Sequence, residues 1–122
     1  MTAKQAWLDS DNKISLLLLD KRVVDDDNPD GTPIDFIDLG FVSMKLFRFD
    51  DDLLLASSEA DEQITFNELG EIKISLGHLT TSEVAKSRSY STYIKAYSQA
   101  EPRGQVIVHI KMPDSNLSIT FN

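Results

Sequence analysis

At 122 residues, 41% hydrophobic and without a cysteine, the chain is bounded to one globular domain held by neither disulfides nor thiolate metal sites. Its formal net charge of −8 argues against duplex DNA and anionic membranes as partners. No apolar run approaches the ~20 residues of a membrane-spanning helix, and the N-terminus has no signal-peptide core, so the chain is expected to be soluble and cytoplasmic when made.

Taken in order, residues 1–12 read as a flexible lead-in anchored by Trp7, whose ring is expected to plug the core. Lys13–Asp20, KISLLLLD, is a predicted strand with Ile14, Leu16 and Leu18 on one face. Leu17 and Leu19 make its other face apolar as well, which calls for a cover from a loop or a neighbouring subunit. Val24–Thr32, VDDDNPDGT, is a loop by its aspartates and its Asn-Pro and Asp-Gly steps. Phe41–Phe49, FVSMKLFRF, is a strand whose alternation sets Val42, Met44 and Leu46 against Phe41, Phe47 and Phe49. Asp50–Asp52 turns, Leu53–Ser57 pairs back, and Gln63–Phe66 forms a short strand or edge.

Glu71–Leu76 alternates cleanly, with Ile72, Ile74 and Leu76 apolar and Glu71, Lys73 and Ser75 polar. A linker of about a dozen residues then leads to the tyrosine-rich Tyr90–Ser98. A link of that length fits a crossing between two packed sheets better than a tight hairpin. Thr80 followed by Glu83 is a capping box, which predicts one short helical turn. Gln105–Met112 and Leu117–Phe121 complete a count of seven or eight antiparallel strands. Strands this short, with turn signals at this spacing, point to an all-β sandwich. A tyrosine opening the second strand of the crossing fits the corner of an immunoglobulin-like sandwich. Tyr90 is therefore assigned a structural role, its hydroxyl bonded to backbone between Leu76 and Lys86.

Chemistry leaves few marks. His78 falls in a turn and His109 on the outward face of a strand; there is no nucleophile elbow, zinc-helix motif or phosphate loop, so no enzyme is expected. Asp26, Asn28 and Asp30 with Gly31 match the first half of a calcium loop. The twelfth position, where a bidentate glutamate belongs, is Ile37, so Asp35 or Asp38 would have to substitute. The alternative is a plain acidic turn. Lys86, Arg88, Lys95 and Arg103 near Tyr90, Tyr93 and Tyr97 give a local case for single-stranded nucleic acid, and the same tyrosines one for carbohydrate. Apart from calcium, no cofactor is implied.

Charge is uneven along the chain. Residues 1–70 carry 16 acids against 6 bases, and residues 71–122 carry 4 acids against 6 bases. Together with the second apolar face, at Leu17, Leu19, Phe47, Phe49 and Ile107, this predicts an interface and a homo-oligomer. The competing expectation is that residues 1–8 and the acidic loop fold over those side chains.

The segments ISLLLLD, DGTPIDFIDLG, FVSMKLFRF, GEIKISLG and PRGQVIVHI, in that order, resemble small immunoglobulin-like sandwich proteins of tailed bacteriophages and prophages. The likeness includes the N-terminal domains of upper-baseplate and tail-associated proteins. It implies a virion structural protein without an active site, acting through contacts with other assembly proteins. A stand-alone module for calcium or carbohydrate is the alternative.

Overall fold

The computed structural model describes residues 2–8, 10, 12–20, 24, 26–106 and 117–122. Its strands are β1 (Thr2–Ala6), β2 (Lys13–Leu17), β3 (Leu19–Asp20), β4 (Thr32–Pro33), β5 (Phe41–Arg48), β6 (Leu54–Ser57), β7 (Ile64–Phe66), β8 (Glu71–Ser75), β9 (Arg88–Ser98), β10 (Gln105–Val106) and β11 (Leu117–Phe121). They form a six-stranded sheet in the order β1-β11-β9-β5-β6 with β10 also on β9, a three-stranded sheet β2-β8-β7, and a β3-β4 ribbon. The chain is all-β, as its alternation requires, and the two larger sheets share one core in a sandwich-like arrangement.

Period-2 alternation decides what each strand contributes to that core. Ile14 and Leu16 of β2, Ile72 and Ile74 of β8 and Ile64 of β7 supply one wall. Met44 and Leu46 of β5, Ile94 and Ala96 of β9, and Leu117, Ile119 and Phe121 of β11 supply the other. The link from residue 76 to residue 87 carries the chain from the β8 sheet to the β9 sheet, so the crossing is real.

Six expectations need correction. The lead-in is an edge strand: β1 pairs in parallel with β11, Thr2 opposite Leu117 and Ala6 opposite Phe121. With the strand in this register, Ala6 and Leu8 turn into the core while Trp7 is 52% exposed, so the tryptophan is not the plug. The helical turn at Thr80 is absent, and no helix occurs among the described residues. Half of the capping box forms, with the Thr80 amide donating to Glu83 Oε2 at 2.7 Å, while Thr80 Oγ1 accepts from the Ser82 amide at 3.2 Å rather than from that of Glu83. After the Val84 amide bonds Thr80 O at 3.2 Å, however, the chain must extend to reach β9, and the turn stops there.

In β5 a register shift between Phe41 and Ser43 inserts one residue opposite β9. A bulge reverses the alternation on one side of itself. Phe41 is accordingly buried and Val42 exposed, the opposite of the simple pattern. Finally, Lys13–Asp20 is not one strand. At Leu18 its amide donates to Gly70 O at 2.8 Å while its carbonyl accepts from Ile34 N at 3.2 Å. From there the chain leaves β8 and pairs as β3 with β4, Leu19 opposite Pro33. Short pairings such as β1, β3-β4 and β10 raise the strand number above the predicted seven or eight.

Candidate functional site

The outward face of β5 and β9 carries an unbroken row of rings and ammonium groups. Core packing of Met44, Leu46, Ile94 and Ala96 forces Lys45, Phe47, Tyr93, Lys95 and Tyr97 to the other side of the sheet. Register then fixes the neighbours: Ser43 opposite Tyr97, Lys45 opposite Lys95, and Phe47 opposite Tyr93. Phe47 and Tyr93 stack with centroids 5.4 Å apart, and Phe49 meets Tyr93 edge-on at 6.2 Å. Lys45 Nζ lies 5.2 Å from the Tyr97 ring centre, and Lys95 Nζ lies 5.9 Å from that of Phe47.

Two like charges directly opposite each other on neighbouring strands repel. Here each ammonium leans diagonally onto a ring and away from the other, exchanging part of that repulsion for cation–π attraction. At one end of the row Phe49 stands 66% exposed. The Tyr93 hydroxyl donates to Asp52 Oδ1, and burial together with this carboxylate pushes the phenol up to about 12. At the other end Gly104, with φ +84°, lets the turn lie flat on Tyr97; a Cβ there would come within 2.7 Å of the ring. Burial, then the charge of Glu59, raises the Tyr97 phenol as well.

The residues of the expected interface do not share one surface. Phe47 and Phe49 belong to the row just described. Leu17, 60% exposed, and the half-buried Leu19 lie at the far end of β2, on the other sheet and its ribbon. Ile107 lies outside the described residues, as does His109.

Around Leu17 the sandwich ends in an acidic cap. The link from β2 to β5 and the β7-β8 turn meet there, since Leu18 N bonds Gly70 O and Phe36 N bonds Asn67 O at 3.4 Å. Val24, Ile37, Leu39 and Leu69 are exposed on these segments among Asp26, Asp30, Asp35, Asp38 and Glu68. A pocket of about 210 Å³ opens between them, lined by Asp20, Thr32, Pro33, Ile34, Asp35, Asp38 and Leu39. Asp26 and Asp30 point to solvent and Asn28 is half-buried; the Gly31 amide donates to Asn28 O at 3.2 Å to close the turn. Among the described residues, no three His, Asp or Glu side chains gather around a common centre. Asp35 Oδ1 is already engaged by the Asp38 amide at 2.9 Å.

Tyr90 sits on the inner side of β9, buried against Phe121 at a ring distance of 6.0 Å. Its hydroxyl accepts a hydrogen bond from the Ala85 amide at 3.1 Å. The guanidinium groups of Arg48 and Arg88 lie over its ring at 5.2 and 5.1 Å. The basic–aromatic group considered for single-stranded nucleic acid therefore divides, because Arg88 serves the inward Tyr90 while Lys95 shares the outward face with Tyr93 and Tyr97. His78 donates through Nε2 to Leu55 O at 2.7 Å, tying the crossing link to β6. Sequence reading missed the pairing of Lys45 with Lys95, which only the register between strands reveals.

Compared with known protein-family models and with curated proteins, the chain matches none.

Proposed function

We propose that the chain is a non-enzymatic structural or adaptor subunit of a tailed-phage-type assembly, working through protein–protein contacts. The observation that carries this reading is the outward row from Tyr97 to Phe49, which clusters aromatic rings of the kind enriched in interfaces and leaves the Phe49 ring 66% exposed. The segments DGTPID and GEIKISLG, with their likeness to phage and prophage sandwich proteins, support a virion setting. A subunit of this kind is made in the cytoplasm and then built into a particle.

The finer fold in this reading is an immunoglobulin-like sandwich of variable type. The order β11-β9-β5-β6 over β2-β8-β7 follows the G-F-C-C′ and B-E-D order of such domains. Tyr90, at the start of the strand that would be F, has its hydroxyl on backbone five residues upstream, as a tyrosine corner does. Two residues later antibody domains carry a cystine; Thr92 stands there instead, buried, with Oγ1 donating to Leu117 O at 2.7 Å.

A photo-crosslinking residue in place of Phe49, in cells that produce the particle, tests the reading. Discrete protein adducts that sediment with particles are expected. Adducts confined to glycans would move the row to the second reading, a carbohydrate-binding module, which the exposed ring of Phe49 favours. Absence of any adduct would remove the contact surface altogether.

A further inference from the structure

We infer that the partner of the ring-and-lysine row is a second copy of this chain, whose acidic cap seats on it head to tail. This rests on the adaptor reading above and names the partner for that surface. Each surface has what the other lacks. The row offers an exposed ring at Phe49 and two ammonium groups, Lys45 and Lys95, in its middle. The cap offers an open pocket of about 210 Å³ in which Pro33, Ile34 and Leu39 stand beside Asp20, Thr32, Asp35 and Asp38. A benzene ring fits an enclosed cavity of about 150 Å³, so in size alone the open pocket can take the Phe49 ring of a neighbour. Lysines from the same row then face carboxylates of the same pocket.

Charge decides the orientation. Row against row would set Lys45 and Lys95 against their own copies, and cap against cap would oppose carboxylates. Only row against cap pairs unlike charges, which makes the contact heterologous rather than two-fold symmetric. It also accounts for Leu17 and Phe47 lying on opposite sheets, because a head-to-tail contact uses two different patches of one chain. Repetition of such a contact yields a ring or a filament, either of which suits a particle subunit.

The test is light scattering coupled to size exclusion on the full chain. Native protein is expected above 13.7 kDa at high concentration, with the mass falling as salt rises. Phe49→Ser with Lys95→Glu removes the row, and Ile37→Asp with Leu39→Asp removes the cap. All four positions are partly or fully exposed, so both variants should retain native circular dichroism and run as monomers. Mixed together, they retain one good row and one good cap between them and should give a species of two chains and nothing larger.

A monomeric native chain would overturn the self-contact while leaving the adaptor reading to the Phe49 crosslink. A native oligomer unaffected by either variant would overturn it too, as would a mixture that stays monomeric. A native dimer that grows no further would indicate two-fold pairing and overturn the head-to-tail geometry.

Discussion

The hydroxyl of Tyr90 and the backbone amide of Ala85 lie 3.1 Å apart, a single bond joining the start of β9 to the link that delivers it. Around it Arg48 donates to Glu83 O, and the Thr80–Glu83 box closes the same loop from the other side. Tyr90→Phe keeps the ring against Phe121 and removes only this hydrogen bond. The expected loss is about 1 kcal/mol of unfolding free energy, measured by urea denaturation with an unchanged slope. An unaltered midpoint would show that the loop does not need the bond.

Gly70 supplies a sharper case. Its φ is +75°, and a Cβ there would stand 2.4 Å from Leu18 O and 3.0 Å from Ile34 N. Backbone atoms cannot step aside as a side-chain tip can. Gly70→Ala should therefore cost about 2 kcal/mol or more, from left-handed strain together with disruption of the Leu18 junction. Gly40, also at positive φ but with open space around it, serves as the control. Its alanine variant carries the conformational strain alone and should lose less.

On the alkaline side Tyr93 governs. Its phenol is raised to about 12 by burial and by the bond to Asp52, so the folded state holds a proton that the unfolded chain gives up near 10. The stabilisation from this group is complete below pH 10 and disappears as the pH climbs toward 12. Tyrosinate absorbance should reveal the Tyr93 phenol titrating late, alongside a Tyr97 phenol that is also raised. Asp52→Asn should bring the Tyr93 step earlier and flatten the fall in melting temperature over the same window.

On the acid side the relevant pair is Arg48 and Asp51. Arg48 Nε donates to Asp51 Oδ1 at 2.9 Å, and Nη2 engages Oδ2 in the second arm of a fork. That bonding, helped by the Leu53 amide, holds the Asp51 carboxyl below its ordinary value. The contribution is present above the ordinary carboxylate pKa, about 4, and is lost as the pH falls through the lowered folded value. Asp51→Asn should flatten the acid limb of a stability-versus-pH curve. No change in that limb would assign the acid sensitivity to other carboxylates.

Calcium gives a direct check on the acidic loop. An ion that binds only the folded chain raises the melting temperature by mass action. With Asp26 and Asp30 directed to solvent, millimolar calcium is expected to leave it unchanged. A rise that Asp26→Ala or Asp30→Ala abolishes would restore the loop as a metal site.

Much of the architecture was written locally. Ile72, Ile74 and Ile14, Leu16 alternate strictly, and both strands face inward as that pattern demands. The position of Tyr90 also followed from local order, because strand start and preceding link are adjacent in sequence. What sequence did not disclose depends on pairing at a distance. The bulge that exchanges Phe41 and Val42 exists only relative to β9. The placement of Lys45 against Lys95 is likewise a property of register, and neither residue marks it alone. Trp7 misled because size suggests burial, whereas the parity of β1 is set by Ala6 and Leu8.

The parallel pairing of β1 with β11 also constrains the order of events at the ribosome. Thr2 emerges early and waits for Leu117, while β2, β7 and β8 lie close enough in sequence to associate well before. Entropy is not the obstacle, since each doubling of a closed loop adds only about 0.6 kcal/mol. Timing is. At ~5–20 residues per second, the edge of β9 that receives β11 spends seconds as an open template for intermolecular strand addition. The sheet is completed only once β11 has emerged, and a nascent chain stalled before residue 117 would be a natural client for chaperones that shield unpaired strands.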